Sequence, residues 1–418
     1  MKSLISKNWP LLLCVFCFLF ISYLLGYLGH GTENIFYSDD SLTYIKWFEV
    51  FFGQASMSDN IDIVALRTFG FPLMMGFTMG IHPVFLIIIH FILWIFTIKH
   101  MMEIISALKL NRTFTISLGI FSGCLIDPMI LIFHGLSETL SYFLIIYSTK
   151  LIMSEKLRWW SLPFLGYAVV VRPNFIYLFL VTLILLLFKD RNKIKEKFIK
   201  ILPPLALGML FPMVQLLIMI NIFSVKTISF IDVQTLNDYF LADMDRRENS
   251  GKLAAAYKVR FQETRTYLQN TSEVGQLSTK VKKELKDRLL NSPSLFFKTF
   301  WKRIRKNGTI SSNLIDIYQE NKAIKKISRR QNTFLFYSAL ISVLISTILL
   351  VIQFRSIVVK VDILFLFLNA HTALSILSSG FSFWQGSRFT IPIMFTSPIL
   401  WAILIIKLRN FRKSNVGI

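Results

Sequence analysis

From Thr333 to Gln353 the chain reads TFLFYSALISVLISTILLVIQ, without one charged side chain. A helix needs about 20 mostly apolar residues to cross the ~30 Å hydrocarbon core of a bilayer, where its backbone can hydrogen-bond only to itself. Comparable runs recur along the chain. They predict ten membrane-crossing helices at roughly 9–29, 82–105, 114–134, 137–153, 159–172, 174–188, 201–223, 333–353, 359–380 and 389–406. Arg172-Pro173, between the fifth and sixth, reads as a tight hairpin or broken helix. The first run is too long for a signal-peptide core and lacks a small-x-small cleavage site, so it reads as an uncleaved anchor. The expected fold is an all-α polytopic membrane protein with external juxtamembrane helices and one mainly helical external insertion.

Charge location gives the orientation. The 418 residues carry 46 Lys/Arg against 24 Asp/Glu, a net +22, which alone would suit nucleic acid. Only 17% are charged, however, against about a quarter in soluble domains. Segments 1–8, 99–113, 150–158, 189–200, 354–360 and 407–418 together hold 20 Lys/Arg. The short loops between them hold only Lys46, Arg67, Arg172 and Arg388. The positive-inside rule therefore predicts cytoplasmic termini. Splitting 69–105 into two spans would invert every later loop, so 69–81 reads as a partly inserted or surface-lying approach to the second span. Three parts follow: an N-terminal membrane module, 1–223, with an external loop, 30–68; an external soluble insertion, 224–332; and C-terminal membrane helices, 333–418. Half the net charge lies in the insertion, since it holds 22 Lys/Arg and 11 Asp/Glu. That is architecture beside a membrane, and no nucleic-acid partner is expected.

Within the insertion, Ser292-Pro293 reads as a helix start. The stretch that follows, SLFFKTFWKRIRK, sets Leu295, Phe296, Phe300, Trp301 and Ile304 near one stripe. Lys298, Lys302, Arg303, Arg305 and Lys306 cover the remainder. Such a helix suits the membrane interface, its cations near anionic headgroups. The alternative is a soluble amphipathic helix packed on its own domain.

The acidic outer loop (net −4) carries Asp39-Asp40, followed by Leu42, Ile45, Phe48 and Phe52 at helical spacing. Taken alone, the acid pair suits a helix N-terminus. Ionisable groups in or beside spans are costly, though, and usually face a cavity or a partner. Several gather at the same outer face: Arg67, Asp127 before Pro128, Glu138 opening the fourth span, Arg172 and Arg388. Each also has a structural reading, as a cap or a snorkelling cation. Together they could hold an anionic headgroup and a base in one cleft. None of the six His forms a metal-ligand spacing, and there is no Walker loop, dinucleotide fingerprint or nucleophile elbow. The three cysteines lie in apolar runs and form no framework.

In order and spacing these motifs resemble the GT-C superfamily of integral-membrane glycosyltransferases, especially bacterial members related to the aminoarabinose and protein-mannosyl transferases. The resemblance rests on Asp39-Asp40-Ser-Leu-Thr-Tyr44, Arg67-Thr-Phe-Gly-Phe-Pro-Leu73, Ser137-Glu138, Arg172-Pro173, Asn291-Ser-Pro293 with its basic helix, and Arg388-Phe389-Thr-Ile-Pro392. It departs where the family has Pro-Gly-Tyr or a double Pro, and where the second acid is Glu. The resemblance implies an external-facing, inverting transferase that takes a sugar from a polyprenyl-phosphate donor and passes it to a glycan, lipid or protein acceptor. Asp39 would then be the base with Asp40 as partner. Arg172, Arg388 and, less centrally, Arg67 would bind the donor phosphate, and Asp127 and Glu138 would position the acceptor or tune the base. No cofactor is implied, although a divalent ion at the acids is compatible with the scheme. The implied location is a bacterial inner membrane, with the site facing the periplasm or outside. Two other readings compete: a lipid-linked oligosaccharide polymerase or ligase, and a lipid or solute transporter. The lack of repeat symmetry argues against the transporter.

Overall fold

The computed structural model describes residues 2–30, 32–33, 35–248, 252–270, 273–352, 362–382 and 391–416. It is 84% helical, with no strand among the described residues. The first half holds α1 (Lys2–Leu24), α2 (Asp39–Phe51), α3 (Gly70–Ile81), α4 (Val84–Ala107), α5 (Arg112–Gly123), α6 (Glu138–Met153), α7 (Ser161–Val171), α8 (Ile176–Asp190) and α9 (Ile194–Phe223). Next come a π-helical turn (Thr235–Leu241), α10 (Ala242–Glu248), α11 (Leu253–Gln269), α12 (Val274–Asn291) and α13 (Pro293–Thr309). The chain ends with α14 (Lys322–Ile352), α15 (Ile363–Ser379) and α16 (Ile391–Val416).

Among the described residues five helices are long and apolar enough to cross a membrane: Val84–Ala107, Pro173–Asp190, Ile194–Phe223, Lys322–Ile352 and Ile391–Phe411. The number is seven if two bent pairs each count as one span: Ser58–Leu66 with Gly70–Ile81 (119°) and Arg112–Gly123 with Ile126–Phe133 (55°). The expected first and ninth spans correspond to shorter apolar helices, Asn8–Leu24 and Ile363–Ser379. The expected fourth and fifth correspond to α6 and α7, of 16 and 11 residues. At 1.5 Å per residue these extend about 24 and 17 Å, short of the ~30 Å core.

Those two short helices are buried centrally, which explains why a hydropathy pattern treats them as spans. A helix apolar all round belongs inside protein as readily as inside lipid. On α6, Leu140, Tyr142, Leu144, Ile145 and Ile146 are buried, and Ser141 and Thr149 return their hydroxyls to the carbonyls of Ser137 (2.6 Å) and Ile145 (2.7 Å). Helix α7 meets α9 backbone to backbone, because a Cβ on Gly166 would collide with the Gly208 carbonyl. Small residues permit this approach between apolar helices.

The basic segments expected on one side are tied to one another. Lys150 pairs with Glu103 (2.8 Å), Lys407 with Asp362 (2.6 Å), and Asp190 accepts from Trp159 (2.8 Å) beside Arg158.

The insertion is helical as expected, and α13 starts with Ser292 at the cap position and Pro293 in its first turn. Part of its apolar stripe packs inward, onto the insertion and onto the C-terminal helices α14 and α15 alike. Phe296 and Ile304 are buried, the Phe296 ring meets Phe240 at 5.1 Å, and Phe300 meets Phe381 at 4.9 Å. Phe297 and Trp301 stay exposed. Arg303, expected on the cationic face, is fully buried and pairs with Asp243 at 3.3 Å while donating to the Ser382 carbonyl at 2.8 Å. Asp243 also faces Arg246 (2.7 Å) and Arg247 (3.3 Å). Burial alone would raise its carboxyl, but Arg303 and the other two guanidiniums hold it below the ordinary carboxylate range. This buried charge cluster locks α13 to the end of α15.

Candidate functional site

A cavity of about 1070 Å³ opens where the loop 30–68, the Arg172 turn, the insertion and α15 converge. Its wall begins with the loop before α3. Gln215, fully buried on α9, accepts from the Phe69 N–H (3.1 Å) and donates to the Ile228 carbonyl (3.0 Å). Ser229 donates to the Leu66 carbonyl (2.8 Å), the Phe230 N–H to the Ala65 carbonyl (2.9 Å), and Tyr167 to the Gly70 carbonyl (2.9 Å). Gly70 must be glycine at this contact, since a Cβ there would lie 2.6 Å from the Val170 carbonyl oxygen. The loop is therefore fastened on both sides, and Arg67 is held at the cavity wall.

Arg67 ion-pairs with Asp40, donates through Nε to Thr43 Oγ1 at 2.9 Å, and lies over the Tyr44 ring at 4.9 Å. Asp40 and Thr43 sit in the first turns of α2, where a one-turn spacing puts both on the face toward Arg67. Tyr44 is buried and donates to Ser137 Oγ at 3.3 Å. The adjacent Glu138, 0% exposed, faces Arg172 with its carboxylate 3.7 Å from the guanidinium. Asp40, Thr43, Tyr44, Arg67, Ser137 and Arg172 all line the cavity. The sequence separates these residues by more than 130 positions, and the fold brings them to one wall.

Of the site residues expected from the sequence, Asp40, Arg67 and Arg172 thus meet at the cavity, with Glu138 directly behind it. Asp39 opens α2, but its side chain lies outside the described residues, as does Arg388. Asp127 lies elsewhere. It is 1% exposed and accepts from the Ser312 N–H (3.0 Å), Ser328 Oγ (2.5 Å) and Asn332 Nδ2 (2.9 Å), and it is not among the cavity-lining residues. It fastens the start of α14 to the bend after α5, so the acceptor-positioning role expected of it has no geometry behind it.

Two other parts of the wall were not anticipated. The first comes from α15 and the turn that follows it: His371, Ser375 and Ser378 on the helix and Ser382 beyond its end line the cavity beside apolar Phe175, Leu178, Leu374 and Phe381. Their spacing of four, three and four residues is a polar stripe on an otherwise apolar helix and the turn after it, a signal present in the sequence. On this apolar side the lining residues Tyr177 and Leu377 are 61% and 51% exposed, so the lining continues to the protein surface there. The second comes from the insertion: Gln234, Tyr239, Tyr257, Phe261 and Thr264. Behind it, Asp238 accepts a hydrogen bond from Thr264, and burial raises its carboxyl to about 7.

Chemically, the cavity combines a carboxylate held by a guanidinium, a second guanidinium at a helix turn, hydroxyls, and apolar residues that continue to the surface. Among the described residues no group of three or more His, Cys, Asp or Glu is arranged to hold a metal ion. No family model matches the chain, and no curated protein or solved structure matches it.

Proposed function

We propose that this cavity is the active site of a membrane-embedded, inverting glycosyltransferase that uses a polyprenyl-phosphate-linked sugar. The carrying observation is that Asp40, Arg67 and Arg172 line one cavity whose lining also includes the apolar Phe175, Leu178, Leu374 and the surface-exposed Leu377. A donor of this class has three parts: an apolar chain, an anionic phosphate and a sugar. The apolar lining residues Phe175, Leu178, Leu374 and Leu377 suit the chain, Arg172 suits the phosphate through forked hydrogen bonds, and the polar lining residues suit the sugar.

In the reaction, the Asp40 carboxylate takes the proton of an acceptor hydroxyl. That oxygen bonds to the anomeric carbon from the face opposite the phosphate. The carbon–oxygen bond to the phosphate breaks, and its electron pair stays on the phosphate oxygen, where Arg172 meets the developing charge. The configuration at that carbon inverts, polyprenyl phosphate leaves, and Asp40 returns its proton to water. Arg67, bound to Asp40 and Thr43, orients the carboxylate more directly than it could serve the phosphate. The sequence motif gives Asp39 as the base with Asp40 as its partner, so the two carboxylates compete for that role; Arg388 as a further phosphate ligand belongs to the proposal on the sequence motif alone. The scheme requires no cofactor.

The proposal keeps the ten-helix topology, with α6 and α7 as short members enclosed by protein and not by lipid, places the insertion 224–332 and the cavity on the outer side, and has cytoplasmic termini in a bacterial inner membrane. The segregation of 20 Lys/Arg to one set of loops supports this orientation. The test is a donor comparison with the full chain in liposomes, offering sugars on polyprenyl monophosphate and polyprenyl diphosphate separately. Transfer from the monophosphate is expected. Use of the diphosphate alone would favour a polymerase or ligase, and flux of donor across the vesicle without covalent transfer would favour a transporter.

A further inference from the structure

One face of α14 is tied to the bend after α5. Gln331 donates to the Cys124 carbonyl (3.0 Å) and accepts from the Ile126 N–H (3.2 Å), while Ser328 and Asn332 both bond to Asp127. That fixes the rotation of the helix and turns Lys326, Arg329, Arg330, Thr333 and Phe334 to the other side, where they line an open notch of about 400 Å³. The three cations are exposed, and none of them is ion-paired among the described residues, whereas neighbouring Lys325 pairs with Asp316. Phe334 is 62% exposed, and its ring stands edge-on to Phe121 of α5 at 5.9 Å. The notch straddles the boundary between the polar and apolar parts of α14, since no charged residue follows Arg330 before Arg355. Arg330 and Arg329 stand about 4.5 and 6 Å beyond Thr333 along the helix axis, within a headgroup layer about 5–7 Å deep on each side of the hydrocarbon. Topology does not account for them. Lys322, Lys325, Lys326, Arg329 and Arg330 precede the span, and only Arg355 and Lys360 follow it closely. On the orientation proposed above the larger group lies outside, the reverse of the usual bias, which only a long exported segment tolerates.

We infer that this notch is a binding site for the headgroup of an anionic glycerophospholipid. Three cations with no acid among them repel one another in the empty notch, and one phosphodiester relieves that repulsion. Its oxygens suit the planar forks of Arg329 and Arg330, with Lys326 as a further point charge. Basic pockets between membrane helices recognise anionic headgroups by this chemistry. Phe334 decides between a lipid and a free anion. It lies on the hydrocarbon side of the cations, where the glycerol and first acyl carbons of a lipid would cover it, and a free phosphate would leave it bare. A zwitterionic headgroup brings its own cation against the three already there. The donor lipid of the proposed transfer is a different ligand, because none of the five residues lines the cavity that holds Asp40 and Arg172. The site therefore stands independently of the reaction proposed for that cavity.

The test is native mass spectrometry of the full chain in mild detergent, titrated with dioleoyl phosphatidylglycerol, dioleoyl phosphatidylcholine, inorganic phosphate and geranyl phosphate. Phosphatidylglycerol should bind and survive a detergent wash, and phosphatidylcholine should not. Combining Lys326→Gln, Arg329→Gln and Arg330→Gln should weaken phosphatidylglycerol binding about 10²-fold. The unfolding midpoint in lipid-free detergent should not change, since the three side chains are exposed and unpaired. Arg330→Gln alone should weaken binding about fivefold, which keeps a readout if the triple variant fails to fold. Neither inorganic phosphate nor geranyl phosphate at equal concentration should displace the lipid. The inference is overturned if the two phospholipids bind alike, if the wash removes both, or if the variants bind as wild type. Displacement by inorganic phosphate would make this a free-anion site, and displacement by geranyl phosphate a donor site; either result overturns it too. None of these outcomes depends on whether the cavity transfers sugar.

Discussion

Replacing Asp40 by Asn is expected to lower sugar transfer by about 10²- to 10⁴-fold, the usual worth of a positioned general base. The amide keeps an oxygen that can accept from Arg67, so the loop, α2 and the cavity wall should survive the change. What disappears is the ability to take a proton. The measurement is transfer rate in liposomes, alongside the thermal unfolding midpoint in detergent. A lost rate with an unchanged midpoint is the expected pair of results. Asp39→Asn is the companion variant, because the sequence motif makes Asp39 the base and Asp40 its partner, while Asp40 lines the cavity. Full activity in Asp39→Asn removes Asp39 from that role, and full activity in Asp40→Asn removes Asp40.

Arg172→Ala should show a double loss. The guanidinium faces Glu138, whose carboxylate is 0% exposed. Taking the cation away from a buried carboxylate typically costs about 3–5 kcal/mol. Transfer should fall as well, by at least about 10²-fold, since a donor opposite a developing phosphate charge is lost. The two losses separate in a double variant. Combining Arg172→Ala with Glu138→Gln removes the buried negative charge and should restore most of the unfolding midpoint, but not transfer. Arg172→Lys should fall between, keeping a charge but losing the planar fork. If the double variant regains transfer along with stability, Arg172 is a structural partner of Glu138 and not a phosphate ligand.

Much of the site was legible in the sequence because costly residues have few reasons to be where they are. Arg67, Arg172 and the Asp39-Asp40 pair stand out against apolar surroundings, and three members of that set meet at the cavity. Asp127 stands out equally, but a buried acid beside proline reads the same whether it serves a ligand or fastens Ser312, Ser328 and Asn332. The insertion's rings carried no signal, since Tyr239 and Tyr257 are brought together by packing between a π-helical turn and α11. The stripe His371-Ser375-Ser378-Ser382 was readable at helical spacing, but a polar stripe on an apolar helix does not say what it faces.

The fold shows the same division. Long apolar runs identify helices well. Hydropathy does not separate lipid-facing helices from those buried in protein, which is why α6 and α7 resemble spans at 16 and 11 residues. Arg303 belonged to a cationic run on α13 until Asp243, sixty residues earlier, drew it inside. A charge pattern on one helix cannot reveal an opposite charge that tertiary structure delivers.

The most direct test of the central claim is mass spectrometry of membrane lipids and cell-envelope glycans from matched cells with and without the protein. The account predicts that loss of the protein removes one sugar from a specific acceptor glycan and lets the corresponding polyprenyl-phosphate sugar accumulate. Expression of the wild type should reverse both changes, and expression of Asp40→Asn neither. Unchanged glycans with unchanged donor lipid in the cells lacking the protein would contradict it.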